Sequence, residues 1–105
     1  MTTLSSHILD TTTGLPVEGI TVQVFSFDNQ RFDTQTNADG RCSDWVGELS
    51  AGTYQIRFHV GEYLIQTHGK AFYPHIDITF IVNDEKHLHV PLLISPFGFS
   101  SYRGS

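Results

Sequence analysis

An all-β chain, folded as an antiparallel sandwich with one short helix, is the architecture this sequence predicts, and three observations carry it. Apolar and polar residues alternate with period two in several separate runs, as in half-buried strands. Turn-forming Asn, Asp, Gly and Ser separate those runs at short intervals, which suits sheets joined by tight connections. Only one stretch, Glu62-Tyr63-Leu64-Ile65-Gln66-Thr67-His68, breaks the alternation in a way that a helix satisfies.

His7, ahead of Ile8-Leu9-Asp10, sits where a first strand begins. In Ile20 to Phe27, Ile20, Val22 and Val24 share one face while Thr21 and Gln23 take the other, so the run is a strand buried on one side. Phe32 to Thr36 alternates less cleanly and leads into Asn37-Ala38-Asp39-Gly40, a turn in which Gly40 supplies a positive φ. Ala51-Gly52-Thr53 turns the chain into the strand whose inward residues are Tyr54, Ile56, Phe58 and Val60. The helical stretch follows and Gly69 closes it. Ile76, Ile78, Phe80 and Val82 then oppose Asp77, Thr79 and Ile81, and polar Asn83 to Lys86 predicts a hairpin that pairs this strand antiparallel with the next. In that last strand Leu88, Val90, Leu92 and Ile94 point to the core, while His87 and His89 project together from the opposite face.

The 105 residues suit a single domain spanning 1–105, with 39% hydrophobic residues for one core. Net charge is −5, and the six Lys and Arg residues are scattered, which argues against nucleic acid as a partner. No stretch approaches the roughly 20 apolar residues of a membrane span, and the opening residues lack the features of a secretory signal. The expectation is a cytoplasmic protein with no membrane partner. Cys42 is the lone cysteine, so an intrachain disulfide is impossible, and its place in a strand after Arg41 reads as a packed thiol.

The chemistry-bearing residues are concentrated at the end. His87 and His89 are two donor/acceptor groups whose mutual repulsion resists double protonation, leaving one ring neutral as a base; an exposed polar face on an edge strand is the competing reading. The terminus, Tyr102-Arg103-Gly104-Ser105, carries a phenol, a guanidinium, a hydroxyl and a carboxylate, and reads as anchored rather than frayed. Arg41 is either a solvated strand residue or a planar fork for carbonyl oxygens. Arg103 suits a second substrate cation or the partner of an acid. His59, His68 and His75 read as surface or packing residues. Ser, His and Asp are all present, but the G-x-S-x-G elbow is missing, so a serine nucleophile is disfavoured. The H-x-H spacing permits adventitious zinc.

The ending His87-Leu88-His89-Val90-Pro91-Leu92-Leu93, Ser95-Pro96 and Tyr102-Arg103-Gly104-Ser105 resembles the C-terminal signature of the 5-hydroxyisourate hydrolases, also called transthyretin-related proteins. Ser6-His7-Ile8-Leu9-Asp10, Gly14-Leu15-Pro16, Thr36 to Arg41 and Phe72-Tyr73-Pro74 extend the resemblance over nearly the whole chain. Vertebrate transthyretin, the carrier of the same superfamily, is similar through the scaffold but lacks the closing tetrapeptide. The resemblance implies a transthyretin-like sandwich that opens 5-hydroxyisourate to 2-oxo-4-hydroxy-4-carboxy-5-ureidoimidazoline in purine degradation, without a cofactor or an essential metal. It implies catalytic roles for His7, Arg41, His87, His89 and Ser105, and substrate contacts from His7, Arg41, Tyr102 and Arg103. Ser105 either binds water or substrate or locks the tail. The implied assembly is a homotetramer, a dimer of dimers. Phe99 departs from the tyrosine often found there, which removes a hydroxyl. A small-ligand carrier without catalysis is the alternative.

Overall fold

The computed structural model describes residues 1–104, and in them the expected sandwich is present. In chain order the elements are β1 (Thr3–Asp10), β2 (Leu15–Pro16), β3 (Thr21–Phe25), β4 (Arg31–Gln35), β5 (Arg41–Ser43), β6 (Gly52–Phe58), α1 (Gly61–His68), β7 (Ile76–Val82), β8 (His87–Ile94) and β9 (Phe99–Ser101). One sheet runs β2-β1-β8-β9, with β5 also on β1; the other runs β4-β3-β6-β7. Alternation does what it predicts: Leu4 and Ile8 of β1, Val22 and Val24 of β3, Ile56 and Phe58 of β6, and Leu92 and Ile94 of β8 are at most 2% exposed. Each such side chain contributes roughly 1.5–3 kcal/mol by leaving water.

The hairpin expected between the 76–82 and 87–94 strands is not formed. β7 pairs with β6 in one sheet, while β8 pairs with β1 in the other, so Asn83 to Lys86 crosses between layers. The crossing is pinned to the chain start: Thr3 N–H donates to the Lys86 carbonyl at 3.0 Å, and the Thr2 hydroxyl donates to the Glu85 carbonyl. Both strands have an inward apolar face, and joining opposite sheets lets those faces meet across the core. The β1–β8 pair is also parallel, whereas the other strand pairings among the described residues are antiparallel. A parallel pair needs a long connection, and here it is the intervening chain from Thr11 to Lys86.

The helix is where the pattern placed it, and Gly69 ends it in the left-handed conformation at φ 79°. What fastens it is a buried carboxylate. Asp10, fully buried at the end of β1, accepts from the Thr12 N–H at 2.9 Å and from the Tyr63 hydroxyl at 2.8 Å, and His68 Nε2 lies 2.7 Å away. His68 is therefore a packing residue, as its sequence context suggests. Burial by itself would raise the Asp10 pKa, but the hydrogen bonds from His68, Tyr63 and the Thr12 and Thr13 N–H groups outweigh it and leave the carboxyl below its ordinary value. A depressed carboxyl contributes stability above its unfolded pKa and loses it as pH falls through the folded value. Asp10→Ala should cost about 3 kcal/mol by stranding these buried donors. Urea unfolding at neutral pH checks the loss, and the gap between variant and wild type should narrow in acid.

Candidate active site

The first sheet carries the candidate groups on its outward face, and strand register brings them together. Along β1 the even residues point to the core, so Thr3, Ser5 and His7 point out. β5 lies antiparallel on one side of β1 and sets Arg41 opposite His7 and Ser43 opposite Ser5. β8 lies parallel on the other side, with His87 opposite Thr3 and His89 opposite Ser5. Side chains directly across a ladder are about 4.5–5.5 Å apart at Cβ, so His7, Arg41, His87 and His89 share one small patch.

The turn before β5 delivers Arg41. Asn37 Oδ1 accepts from the Asp39 N–H at 2.9 Å and from the Arg41 N–H at 3.1 Å. Gly40, at φ 71°, passes so close to β1 that a Cβ there would lie 2.7 Å from the Ile8 carbonyl oxygen. Only glycine allows both the backbone angle and the approach. Cys42, the next residue, points inward; burial pushes its thiol up to about 12, which removes it as a nucleophile and agrees with a packed thiol.

Two of these imidazoles, His7 and His89, are biased toward neutrality. His7 has its pKa lowered, first by burial and then by the Arg41 charge, with the Asp39 backbone acting in the opposite direction. His89 is lowered by burial, then by Arg41, His7 and His87, with the Ser5 backbone opposing. Two side chains outside the expected set also belong to this patch. Ser5 Oγ lies 2.8 Å from His87 Nε2 and 2.8 Å from His89 Nδ1, and Thr3 Oγ1 lies 2.6 Å from His87 Nδ1. Their position two and four residues before His7 on an alternating strand was the available signal; their partners became visible only with the β1–β8 pairing.

The tail is anchored as its composition suggests. β9, which the pattern did not reveal, pairs with the end of β8, and the Gly104 N–H then donates to the His89 carbonyl at 2.8 Å. Tyr102 and Arg103 stay exposed. With His89 they border a cleft of about 410 Å³ whose other walls include Ile78, Phe80 and Phe99; His7, Arg41 and His87 do not line it. Arg103 also lies close enough to Glu85 to help hold that carboxyl below its ordinary range, after the backbone N–H groups at Glu85 and Asn83. Thus His7, Arg41, His87 and His89 form one cluster, and Tyr102 and Arg103 lie beyond His89. The role expected of Ser105 falls outside the described residues.

A patch that sets the neutral-leaning imidazoles of His7 and His89 beside a guanidinium can take a proton from water and stabilise an oxyanion. Comparison with known proteins points the same way. A probable 5-hydroxyisourate hydrolase of Schizosaccharomyces pombe is 38% identical, covering 97% of this chain and 90% of its own. The structure of Klebsiella pneumoniae 5-hydroxyisourate hydrolase superposes with a TM-score of 0.89 at 37% identity, covering 100% of this chain and 94% of that one. Transthyretin from Sparus aurata superposes with a TM-score of 0.86 over 96% of this chain and 95% of its own, at 24% identity, and shares the fold. With residues 4–104 matching the family described as Transthyretin: HIUase/Transthyretin family, the chain belongs to that family.

Proposed function

We propose that this chain hydrolyses 5-hydroxyisourate, opening its six-membered ring at a cyclic amide to give 2-oxo-4-hydroxy-4-carboxy-5-ureidoimidazoline. The observation that carries the reading is the register that sets His7 opposite Arg41 and places His89 across the neighbouring ladder on the same face. A neutral imidazole of this cluster takes a proton from water as its oxygen attacks the ring carbonyl. Arg41 stabilises the oxyanion of the tetrahedral intermediate. Its collapse breaks the C–N bond, and the departing nitrogen receives a proton from an imidazolium. Tyr102 and Arg103 form the outer wall against which the flat substrate rests.

The test is direct. Hydroxyisourate generated from urate by urate oxidase decays spontaneously, and the protein should accelerate the ultraviolet change; His7→Ala should remove most of that acceleration. Saturable binding of the substrate with no acceleration would instead support a carrier.

The assembly we propose is a homotetramer. In one chain Arg41 and His87 are exposed, too open a setting for a site that must exclude bulk water. The outer strands β7 and β9 have exposed apolar residues, Ile81 at 64% and Phe99 at 40%, beside the apolar cleft, and a second copy would cover them. Analytical ultracentrifugation alongside rate measurements on dilution should show mass and specific activity falling together; a fully active monomer would exclude it.

Tail geometry has its own consequence for this activity. A Cβ at Gly104 would sit 2.6 Å from His89 Cδ2, so the imidazole must move to admit it. Gly104→Ala should lower kcat by about 10- to 100-fold with the thermal midpoint nearly unchanged, because the displaced ring lies outside the core. Steady-state kinetics and a melting curve on the same preparation check both halves.

A further inference from the structure

The hydroxyls of Thr3 and Ser5 turn the histidine pair into a hydrogen-bonded line with a definite polarity. Its anchored end is the Lys86 carbonyl, which lies 3.3 Å from Thr3 Oγ1 and can only accept. With Thr3's single hydroxyl proton given to that carbonyl, its oxygen is the acceptor toward His87 Nδ1, at 2.6 Å. Neutral His87 therefore carries its proton on Nδ1 and presents a bare Nε2. Ser5, 2.8 Å from that Nε2, donates to it and must accept from His89 Nδ1, also at 2.8 Å. The reverse polarity would forfeit the bond from Thr3 to Lys86.

We propose that Ser5 is a positioning residue for the hydrolysis: its hydroxyl, oriented by His87, holds neutral His89 as the Nδ1–H tautomer and leaves the Nε2 lone pair as the base that deprotonates water. The proposal rests on the hydrolase reading and goes beyond it by selecting the base and its reacting atom. During the attack the water proton moves to His89 Nε2 while Nδ1–H remains on Ser5 Oγ. When the C–N bond breaks, the proton on Nε2 passes to the departing nitrogen and the starting tautomer returns. No proton travels along the line, which sets a direction and nothing more.

Long-range ¹H–¹⁵N correlation spectra of the imidazoles, assigned with a His89→Gln variant, read the tautomer without substrate. Wild-type protein should show His89 as Nδ1–H at a pH where it is neutral. Ser5→Ala should lose that preference and lower kcat about 10- to 100-fold with KM changed less than about twofold; Ser5→Thr, which keeps the hydroxyl, should recover both. Thr3→Val should weaken the same preference from one step upstream. A wild-type His89 in the Nε2–H form, or a Ser5→Ala protein that keeps tautomer and kcat, overturns the proposal. Wild-type protein with the Nδ1–H signal that leaves hydroxyisourate decay unaccelerated refutes the hydrolase reading, and the positioning role with it.

Discussion

His89→Ala is expected to lower kcat/KM by about 10²- to 10⁴-fold, the usual contribution of a positioned general base, while the protein still folds. The two halves separate because His89 projects from the outer face of β8 and its neighbours Leu88 and Val90 supply the core contacts. Removing an outward ring leaves no cavity, so the stability change should stay within about 0.5 kcal/mol. The pH dependence gives a second reading of the same group. Burial, then Arg41, His7 and His87, lower the His89 pKa, so the ring is neutral at neutral pH and protonates only as pH falls through a value below the ordinary 6.5 or so. Activity should therefore fall on an acid limb centred below that value. Stopped-flow rates across pH 5 to 8 test both statements, and a His89→Ala protein within about twofold of wild type would exclude His89 from the chemistry.

Arg41→Ala should cost about 10²- to 10³-fold in kcat, the scale seen when a donor to a developing oxyanion is removed. Arg41→Lys should recover little, since a point charge cannot reproduce two fixed N–H directions. The same substitution carries an electrostatic signature that simple loss of substrate contact would not. Arg41 is the leading charge that lowers both His7 and His89; a nearby cation disfavours the imidazolium. Without it both pKa values rise toward the ordinary histidine value, so the acid limb of the residual activity should move to higher pH. Steady-state profiles of wild type and Arg41→Ala, measured at equal ionic strength, supply the comparison. An unmoved limb would mean that the imidazole controlling it lies beyond the reach of Arg41.

Inward and outward faces were readable from residue order alone. Period-two alternation fixes which side chains of one strand share a face, and Val22, Val24, Ile56, Phe58, Leu92 and Ile94 are buried as it requires. The helix expected over 62–68, which the structure begins one residue earlier at Gly61, and the turn at Gly40 were readable for the same reason, because both rest on local backbone preference. The role of Asp10 was not. A lone acid at the end of a strand carries no sign that Tyr63 and His68, more than fifty residues away, will enclose it.

Pairing was the tertiary structure's decision. A polar tetrapeptide between two alternating runs looks locally like a hairpin, yet Asn83 to Lys86 crosses to the other sheet because each strand needs an opposing layer as well as a neighbour. That choice laid β8 parallel to β1, and this alone placed Ser5 between His87 and His89. The order of residues therefore determined the fold class, the core face of each strand and the residue types available for chemistry. Which of them touch was settled only by the ladder, since strand register is a long-range property that no single segment encodes.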